Sequence, residues 1–211
     1  MSSQRILITT VAPDIKFRCT LCGWCCRNYT PLVTAEDARR IQERLRKPLS
    51  SFVVFYRLED FTVPLVDDER IFLTRHGPLV MGLARQEDAC VFLKDNLCSI
   101  HTFKPGICQA FPFQPVEPGD VQGPFVLLDD PCDGRNASDE VVAQESARHS
   151  YEGFIYDYHE YVELVKTWNE APSSRDKDIE DFLQYVGLDW WRYKAPPRRK
   201  HPPIQRKEVM G

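Results

Sequence analysis

Four cysteines fall within eight residues near the start of the chain, and no other feature constrains the fold as strongly. The run is Cys19-Thr20-Leu21-Cys22-Gly23-Trp24-Cys25-Cys26, and Arg27 follows it directly. A second group brings the total to eight: Cys90, Cys98, Cys108 and Cys132. Buried single cysteines are common in protein cores, but a C-x2-C-x2-C-C run is not a packing pattern. The clustering therefore predicts that the eight thiols ligate a metal, either zinc or iron, with an iron–sulfur cluster as one form of the iron site.

Length and composition are those of an ordinary globular chain, which does not need disulfide cross-links to be stable. With 211 residues, the chain can form one domain with a substantial core, or one domain with an added helical layer. Hydrophobic residues make up 43% and charged residues 27%, which is typical of soluble globular proteins. The net charge of −4 gives no overall nucleic-acid footprint, so a nucleic-acid partner is disfavoured.

The compartment decides how the cysteines are interpreted. No stretch approaches the roughly 18 apolar residues that cross a bilayer, so we expect no membrane partner. The first residues contain a short Ile6-Leu7-Ile8 run without a small-residue cleavage site, which does not fit a secretory signal. We therefore expect a cytoplasmic protein, where thiols stay reduced and four structural disulfides are disfavoured.

The spacing of the thiols predicts more than one metal atom. A C-x2-C turn brings two thiolates to one metal, and it occurs twice, at Cys19 with Cys22 and at Cys22 with Cys25. Adjacent side chains point apart in extended backbone, so Cys25 and Cys26 are expected to face two metals or two parts of one polynuclear cluster. Eight cysteines equal two four-thiolate sets, which suits two zinc ions or one to two iron–sulfur clusters. Thiolate softness excludes magnesium and calcium but leaves zinc and iron open.

His101 is a weaker candidate ligand. It lies three residues after Cys98 and could substitute for a thiolate. A histidine without finger-like spacing to cysteine is more often a surface or hydrogen-bonded residue, and that interpretation is favoured here.

Apolar patterns predict an α+β fold: a small irregular metal-centred domain with a short antiparallel sheet, packed with C-terminal helices. Residues 5–11 suggest a short strand, and the first cysteine run suggests a loop or tight knuckle with positive φ at Gly23. Thr34 and Asp37 form a box-like helix start, and Pro48 ends that helix. Short apolar runs over residues 61–92 predict an antiparallel meander, and residues 94–96 predict a tight turn.

The remainder of the chain is expected to be helical and then disordered. An apolar stripe from Phe154 to Trp168 at helical spacing predicts a helix that Pro172 stops, and a short helix follows that Gly187 ends. We predict a cysteine-cluster domain over residues 1–135, a helical extension over 136–194 and a basic, Pro-rich, disordered tail over 195–211. The extension and the tail are the candidate surfaces for a protein partner.

Several motifs, in this order, resemble one known family. They are Phe17-x-Cys19-x2-Cys22-Gly23-x-Cys25-Cys26-Arg27, the Thr34-Ala35-Glu36-Asp37 helix start, Cys90-x-Phe92-Leu93-x4-Cys98-x-Ile100, and Pro105-x2-Cys108-x2-Phe111-Pro112-Phe113. The pattern resembles the CxxCxxCC, or YkgJ-like, cysteine-cluster family, which is described as a zinc- or iron-chelating domain. Cys132 fits as an eighth position. Lys104 replaces the family's usual arginine before proline, and His101 replaces its usual aromatic residue; neither change removes an expected ligand.

The resemblance leaves the activity open. Some flagellin lysine N-methylases carry a similar cysteine pattern, which implies an iron–sulfur-dependent enzyme in redox chemistry or protein modification, such as lysine N-methylation, as one alternative. No glycine-rich nucleotide motif supports a methyl-donor site, and G-x-S-x-G and H-E-x-x-H are absent from the sequence. Arg18, Arg27 and Lys104 are expected to favour thiolate by their charge. The third alternative is an adaptor that binds a protein or RNA, although a basic tail without interleaved aromatic residues is more often simply solvated.

Overall fold

The computed structural model describes residues 15–61, 65, 68–117, 119–135 and 141–188. The predicted strand over residues 5–11 and the predicted tail over 195–211 lie outside these residues. The described chain is α+β, as expected, with short antiparallel sheets and helices at its C-terminal end. Its helices are α1 Trp24–Asn28, α2 Ala35–Leu45, α3 Gly106–Ala110, α4 Gln144–Glu170 and α5 Ile179–Tyr185. Its strands are β1 Ile15–Lys16, β2 Val53–Arg57, β3 Phe72–Thr74, β4 Gly77–Leu83, β5 Arg85–Gln86, β6 Ala89–Cys90, β7 Leu93–Lys94, β8 Leu97–Cys98, β9 Phe113–Pro115, β10 Phe125–Leu127 and β11 Val141–Val142.

The largest sheet has three antiparallel strands in the order β2-β4-β3. β3 and β4 form a hairpin in which Thr74 pairs with Gly77, and Gly77 adopts a φ of 98°, which favours glycine. β2 pairs with the other edge of β4, from Val53 opposite Leu83 to Arg57 opposite Leu79. The described residues between 61 and 92 thus form two separate hairpins, β3–β4 and β5–β6, instead of the predicted antiparallel meander. β2, which precedes this range in the chain, completes the sheet of β3 and β4.

Helix α2 begins where the sequence predicted. The Thr34 hydroxyl accepts the Asp37 N–H at 3.1 Å, and the Asp37 carboxylate accepts the Thr34 N–H at 3.2 Å. This reciprocal pair forms a capping box, which satisfies two backbone donors that have no partner within the helix. The helix ends at Arg46 in a left-handed conformation, before Pro48.

Helices α4 and α5 pack on the sheet and complete the main hydrophobic core. The Trp168 indole N–H donates to the Leu73 carbonyl at 2.7 Å, which fixes α4 against β3. Phe182 of α5 stacks on Phe72 with ring centroids 3.8 Å apart, and neither side chain is exposed. Ala171 caps α4 just before Pro172. The C-terminal helices therefore share one core with the sheet of the cysteine region, while the boundary at residue 135 stays a prediction.

Two smaller hydrophobic clusters flank this main core. The second cluster contains Ile15, Phe17, Phe113, Phe125 and Ala147, and thus joins the first strand to the start of α4. The antiparallel pair of β1 with β11 belongs to this region and was not predicted. The third cluster surrounds Tyr56 and Val80 on the far side of the sheet.

Candidate metal centre

The first cysteine run ends in a helix, which differs from the loop or knuckle that the sequence suggested. Gly23 caps the N-terminus of α1 with the predicted positive φ, 70°. Its carbonyl accepts the Arg27 N–H at 3.1 Å, which closes the first helical turn. Cys25 and Cys26 therefore lie on a helix, where neighbouring side chains are about 100° apart. The premise that extended backbone separates them was wrong.

The other four cysteines come from four separate elements. Cys90 ends β6, Cys98 ends β8, Cys108 lies in α3, and Cys132 directly precedes a 3₁₀ turn over Asp133–Arg135. The predicted tight turn is confirmed between β7 and β8, where Asp95 and Asn96 adopt φ values of 48° and 64°. Two successive positive φ angles are typical of a type I′ hairpin turn, which sets Cys98 opposite Leu93.

All eight thiols line a single cavity of about 360 Å³. The cavity lies where the three hydrophobic clusters meet, since its walls include Leu83 of the main core, Phe113 of the second cluster and Leu32 of the third. Exposure of the thiols is graded: Cys90 is 5% exposed and Cys132 is 9% exposed, whereas Cys19 is exposed. The two cysteine-rich stretches, which are far apart in sequence, thus meet at one place.

Five cysteines form an inner group, of which two lie in α1 and three lie on other elements. The Cys26 thiol hydrogen-bonds with both Cys25 and Cys98, which lowers the pKa of Cys25 to about 7 and that of Cys98 to about 6, and raises the pKa of Cys26. Burial raises the pKa of Cys90 to about 11 and also raises that of Cys108. Although Cys108 is only half-buried, its exposed surface faces the cavity, so its sulfur is still poorly solvated. We call these residues the inner thiols: Cys25, Cys26, Cys90, Cys98 and Cys108.

The remaining three cysteines form an outer group. Cys132 belongs to the second hydrophobic cluster, and Cys22 packs against it. Their thiols hydrogen-bond, and burial raises the pKa of Cys132. Cys132 is also close enough to Cys25 for their charges to interact, which connects the two groups. We call these residues the outer thiols: Cys19, Cys22 and Cys132.

Of the three predicted cations, Lys104 is the one in the wall of the cavity. Its charge contributes to the lowered pKa of Cys25 and of Cys98. Arg27 instead donates to the Cys22 carbonyl at 3.0 Å and to Asn96, and thereby attaches α1 to the β7–β8 turn. His101 also lines the cavity, where burial and then Lys104 lower the pKa of its ring. Cys98, three residues earlier, is the residue that hydrogen-bonds with the Cys26 thiol, so His101 remains a secondary candidate ligand.

Two side chains that the sequence did not single out for the site support it. Arg85 donates to the carbonyls of Arg27 and Tyr29, both at 2.6 Å, and also to the Asp88 carbonyl. It thereby joins the end of α1 to the hairpin that carries Cys90. Asp37, predicted only as a helix cap, also accepts the Gly106 N–H of α3 at 2.8 Å. Nothing local in the sequence indicates the bonds from Arg85 to the end of α1 or from Gly106 to Asp37, because those partners lie 56 or more residues away.

The chemistry of the eight sulfur donors fits a thiophilic metal. The sulfur atoms are not, however, arranged in the coordination geometry that a bound ion would have. Among the described residues, no three His, Cys, Asp or Glu side chains converge as they would around a metal. Metal binding to thiols releases protons and is coupled to local folding, so small shifts of these side chains on binding are expected. Eight soft sulfur donors in one cavity suit zinc or iron and do not suit magnesium or calcium.

Comparison with known proteins identifies the class to which this fold and site belong. Residues 18–133 match the family model CxxCxxCC, described as "Putative zinc- or iron-chelating domain". The match covers more than half of the chain and includes all eight cysteines, so the protein belongs to the CxxCxxCC family. No curated protein and no solved structure matches the chain significantly. Within the described residues, no helix has both the length and the apolar character to cross a membrane.

Proposed function

We propose that the protein binds zinc or iron through one polynuclear thiolate centre formed by all eight cysteines. The observation that carries this proposal is that the eight thiols line a single cavity of about 360 Å³. A tetrahedral metal ion takes four ligands, so eight thiolates exceed the needs of one ion. Cys25 lies near sulfurs of both the inner and the outer group, which favours one connected centre over two independent sites.

The residues of the chain have distinct parts in this centre. The inner and the outer thiols together would supply the ligands, and a bound zinc ion or iron–sulfur cluster would contribute structural stabilisation or, for iron, electron transfer. Lys104 balances part of the negative charge of the thiolates. The aromatic walls, such as Phe17 and Phe92, limit access of water to the sulfur atoms.

Oxygen-free purification followed by metal analysis and absorption spectroscopy tests the proposal. We expect at least two metal atoms per chain; iron with labile sulfide and a brown colour would identify a cluster, and a colourless protein with two zinc ions would identify a zinc centre. A single metal atom per chain at saturation, or none, would contradict a polynuclear centre. Replacement of Cys25 by Ser should reduce the occupancy of both groups, because Cys25 lies between them.

A second candidate function is an enzyme that uses the metal centre, and one observation favours it. The cavity continues beyond the thiols to Leu32, Phe61 and Arg70, so part of its volume of about 360 Å³ lies beside the thiols and not between them. Redox chemistry or protein modification would need such a space beside the metal. If the centre contains iron, reversible reduction followed by electron paramagnetic resonance would support this function, and a redox-silent zinc centre would exclude its redox form.

A further inference from the structure

Helix α3, which carries Cys108, is held at its first residue by a side chain from another helix. The Gly106 N–H donates to Asp37 Oδ1 at 2.8 Å, and this bond is buried. Asp37 is only 1% exposed, although aspartate is rarely buried without partners. Its carboxylate is fully engaged, since Arg40 donates to Oδ1 at 2.5 Å and the Thr34 N–H donates to Oδ2 at 3.2 Å.

The other side of α3 contacts α4 without free space. An ideal Cβ on Gly106 would lie 3.1 Å from the Phe154 Cα, which is a backbone atom that cannot move away easily. Arg40 extends the link, because it also faces Asp157 of α4 at 3.5 Å. Helix α3 is therefore located by α2 on one side and by α4 on the other, only two residues before Cys108.

We propose that Asp37 is a positioning residue for the metal centre, which sets the place of Cys108 in the cavity by fixing α3. A capping box needs only the contacts between Thr34 and Asp37, so the bond to Gly106 is additional to the helix cap. Asp37 does not line the cavity, so its hydrogen bond reaches Cys108 through α3, while its charge adds a small direct effect on the Cys108 thiol. The inference uses the proposed function for its metal readout, and a metal-free readout tests it separately.

Three variants of the full-length chain separate positioning from charge and from helix stability. Asp37→Ala removes the acceptor of the Gly106 N–H. Asp37→Asn removes the charge but keeps an oxygen for that bond. Thr34→Ala weakens the cap of the same helix while the bond to Gly106 remains.

The first measurement is the rate at which Cys108 is alkylated by iodoacetamide in the metal-free protein, followed by peptide mass spectrometry. In Asp37→Ala we expect about a tenfold increase, because a buried hydrogen bond to a charged group is lost. Thr34→Ala should stay within about twofold of the unmodified chain, because it leaves that bond in place. Asp37→Asn loses the same charge near Cys108 as Asp37→Ala but keeps the bond, so its increase should be much smaller and the difference between the two variants measures the bond. Equal increases in Asp37→Ala and Thr34→Ala would overturn the proposal, as would a normal rate in Asp37→Ala.

The second measurement is Co²⁺ binding followed by its thiolate charge-transfer band. Asp37→Ala should lose part of the band, and Asp37→Asn should restore it. An unmodified chain that takes up no Co²⁺, zinc or iron would contradict the proposed function alone, since the alkylation result would still decide whether Asp37 positions Cys108. Normal uptake with an unchanged band in Asp37→Ala would contradict the positioning of a ligand.

Discussion

The inner and outer thiols are held by different parts of the molecule. Cys90 belongs to the main core, and Cys26 and Cys98 pack against this core. The same core contains residues of the sheet and of both C-terminal helices. Cys132 and Cys22 rest on the second cluster, which is much smaller. Cys19 is exposed. The inner thiols are thus placed by the folding of the whole chain, whereas the outer thiols depend on a local cluster and, we expect, on the metal itself.

This difference indicates how a cysteine-rich centre can be both stable and accessible. Packing density in a large core resists displacement, so we expect the inner thiols of that core to shift less than the outer thiols when metal binds. Ligands that are less well packed can move, so we expect a metal to enter from the side of Cys19, which is exposed. Substitutions in each group should therefore have unequal effects.

Replacement of a buried inner thiol should have the largest effect, and we compare Cys90→Ser with Cys19→Ser. In the metal-free protein, Cys90→Ser should lower the free energy of unfolding by about 1–3 kcal/mol, because a hydroxyl is more costly to bury than a thiol. The Phe92 backbone, which hydrogen-bonds to the Cys90 thiol, offsets only part of that cost. Cys19→Ser should change it by less than about 0.5 kcal/mol, as is usual for exposed positions. Urea unfolding with and without metal measures both, and the gap should widen when metal is present. Equal losses in the two variants would remove the distinction between the groups.

A substitution in α3, the helix that carries Cys108, should cause the next largest loss of stability. Gly106→Ala places a Cβ 3.1 Å from the Phe154 Cα, so it should cost about 1–3 kcal/mol through overpacking. Gly153→Ala is the matched control within α4, because nothing lies within 4 Å of its added Cβ. It should stabilise the protein by up to about 1 kcal/mol through helix propensity. The midpoint of thermal unfolding and the metal content should both fall in Gly106→Ala. Neither should fall in Gly153→Ala.

Local signals in the sequence predicted the parts of the fold that are decided locally. Thr34 and Asp37 predict the start of α2, because both residues of a capping box lie within four residues of sequence. Asp95 and Asn96 tolerate the left-handed backbone that a two-residue hairpin turn needs, so that turn was also predictable. The helical extension followed from its apolar stripe and from Pro172.

The parts decided by distant contacts could not be predicted from one sequence. Pairing of Ile15 with Val142 has no local signal, and the bond from Gly106 to Asp37 spans 69 residues. For the site, thiol chemistry predicted which residues belong together, and the structure brings all of them to one cavity. Their division into inner and outer thiols depends on which hydrophobic cluster each one contacts, which spacing along the chain does not encode.

A smaller effect is expected at the link between α1 and the hairpin of Cys90. Arg85→Ala removes the donors to the Arg27 and Tyr29 carbonyls, and should cost about 1 kcal/mol because water replaces these partly exposed bonds. Arg57→Ala is the control, since Arg57 is exposed and pairs with Glu59 at 3.6 Å. Chemical denaturation measures the stability, and zinc competition with a chromophoric chelator measures the affinity. Weaker zinc binding in Arg85→Ala alone would show that the inner thiols need this link; equal binding in both variants would show that they do not.

The smallest effect should come from the charge of Lys104, and it appears as a pH dependence. Thiolate forms as pH rises through the pKa, so in the metal-free protein alkylation should begin at Cys98, near pH 6, and at Cys25, near pH 7, well before Cys90. Because the Lys104 charge contributes to the lowered pKa of Cys98 and Cys25, Lys104→Met should raise both pKa values. It should slow alkylation by about twofold near pH 6 for Cys98 and near pH 7 for Cys25, since solvent screens a partly exposed charge and the shift stays small. Lys94→Met removes an exposed charge of the β7–β8 hairpin and should leave both profiles unchanged. Peptide mass spectrometry over pH 5–9 resolves each thiol. A Cys98 profile that does not change in Lys104→Met would assign its low pKa to its hydrogen bonds with Cys26 and with the Ile100 backbone, rather than to the charge in the wall of the cavity.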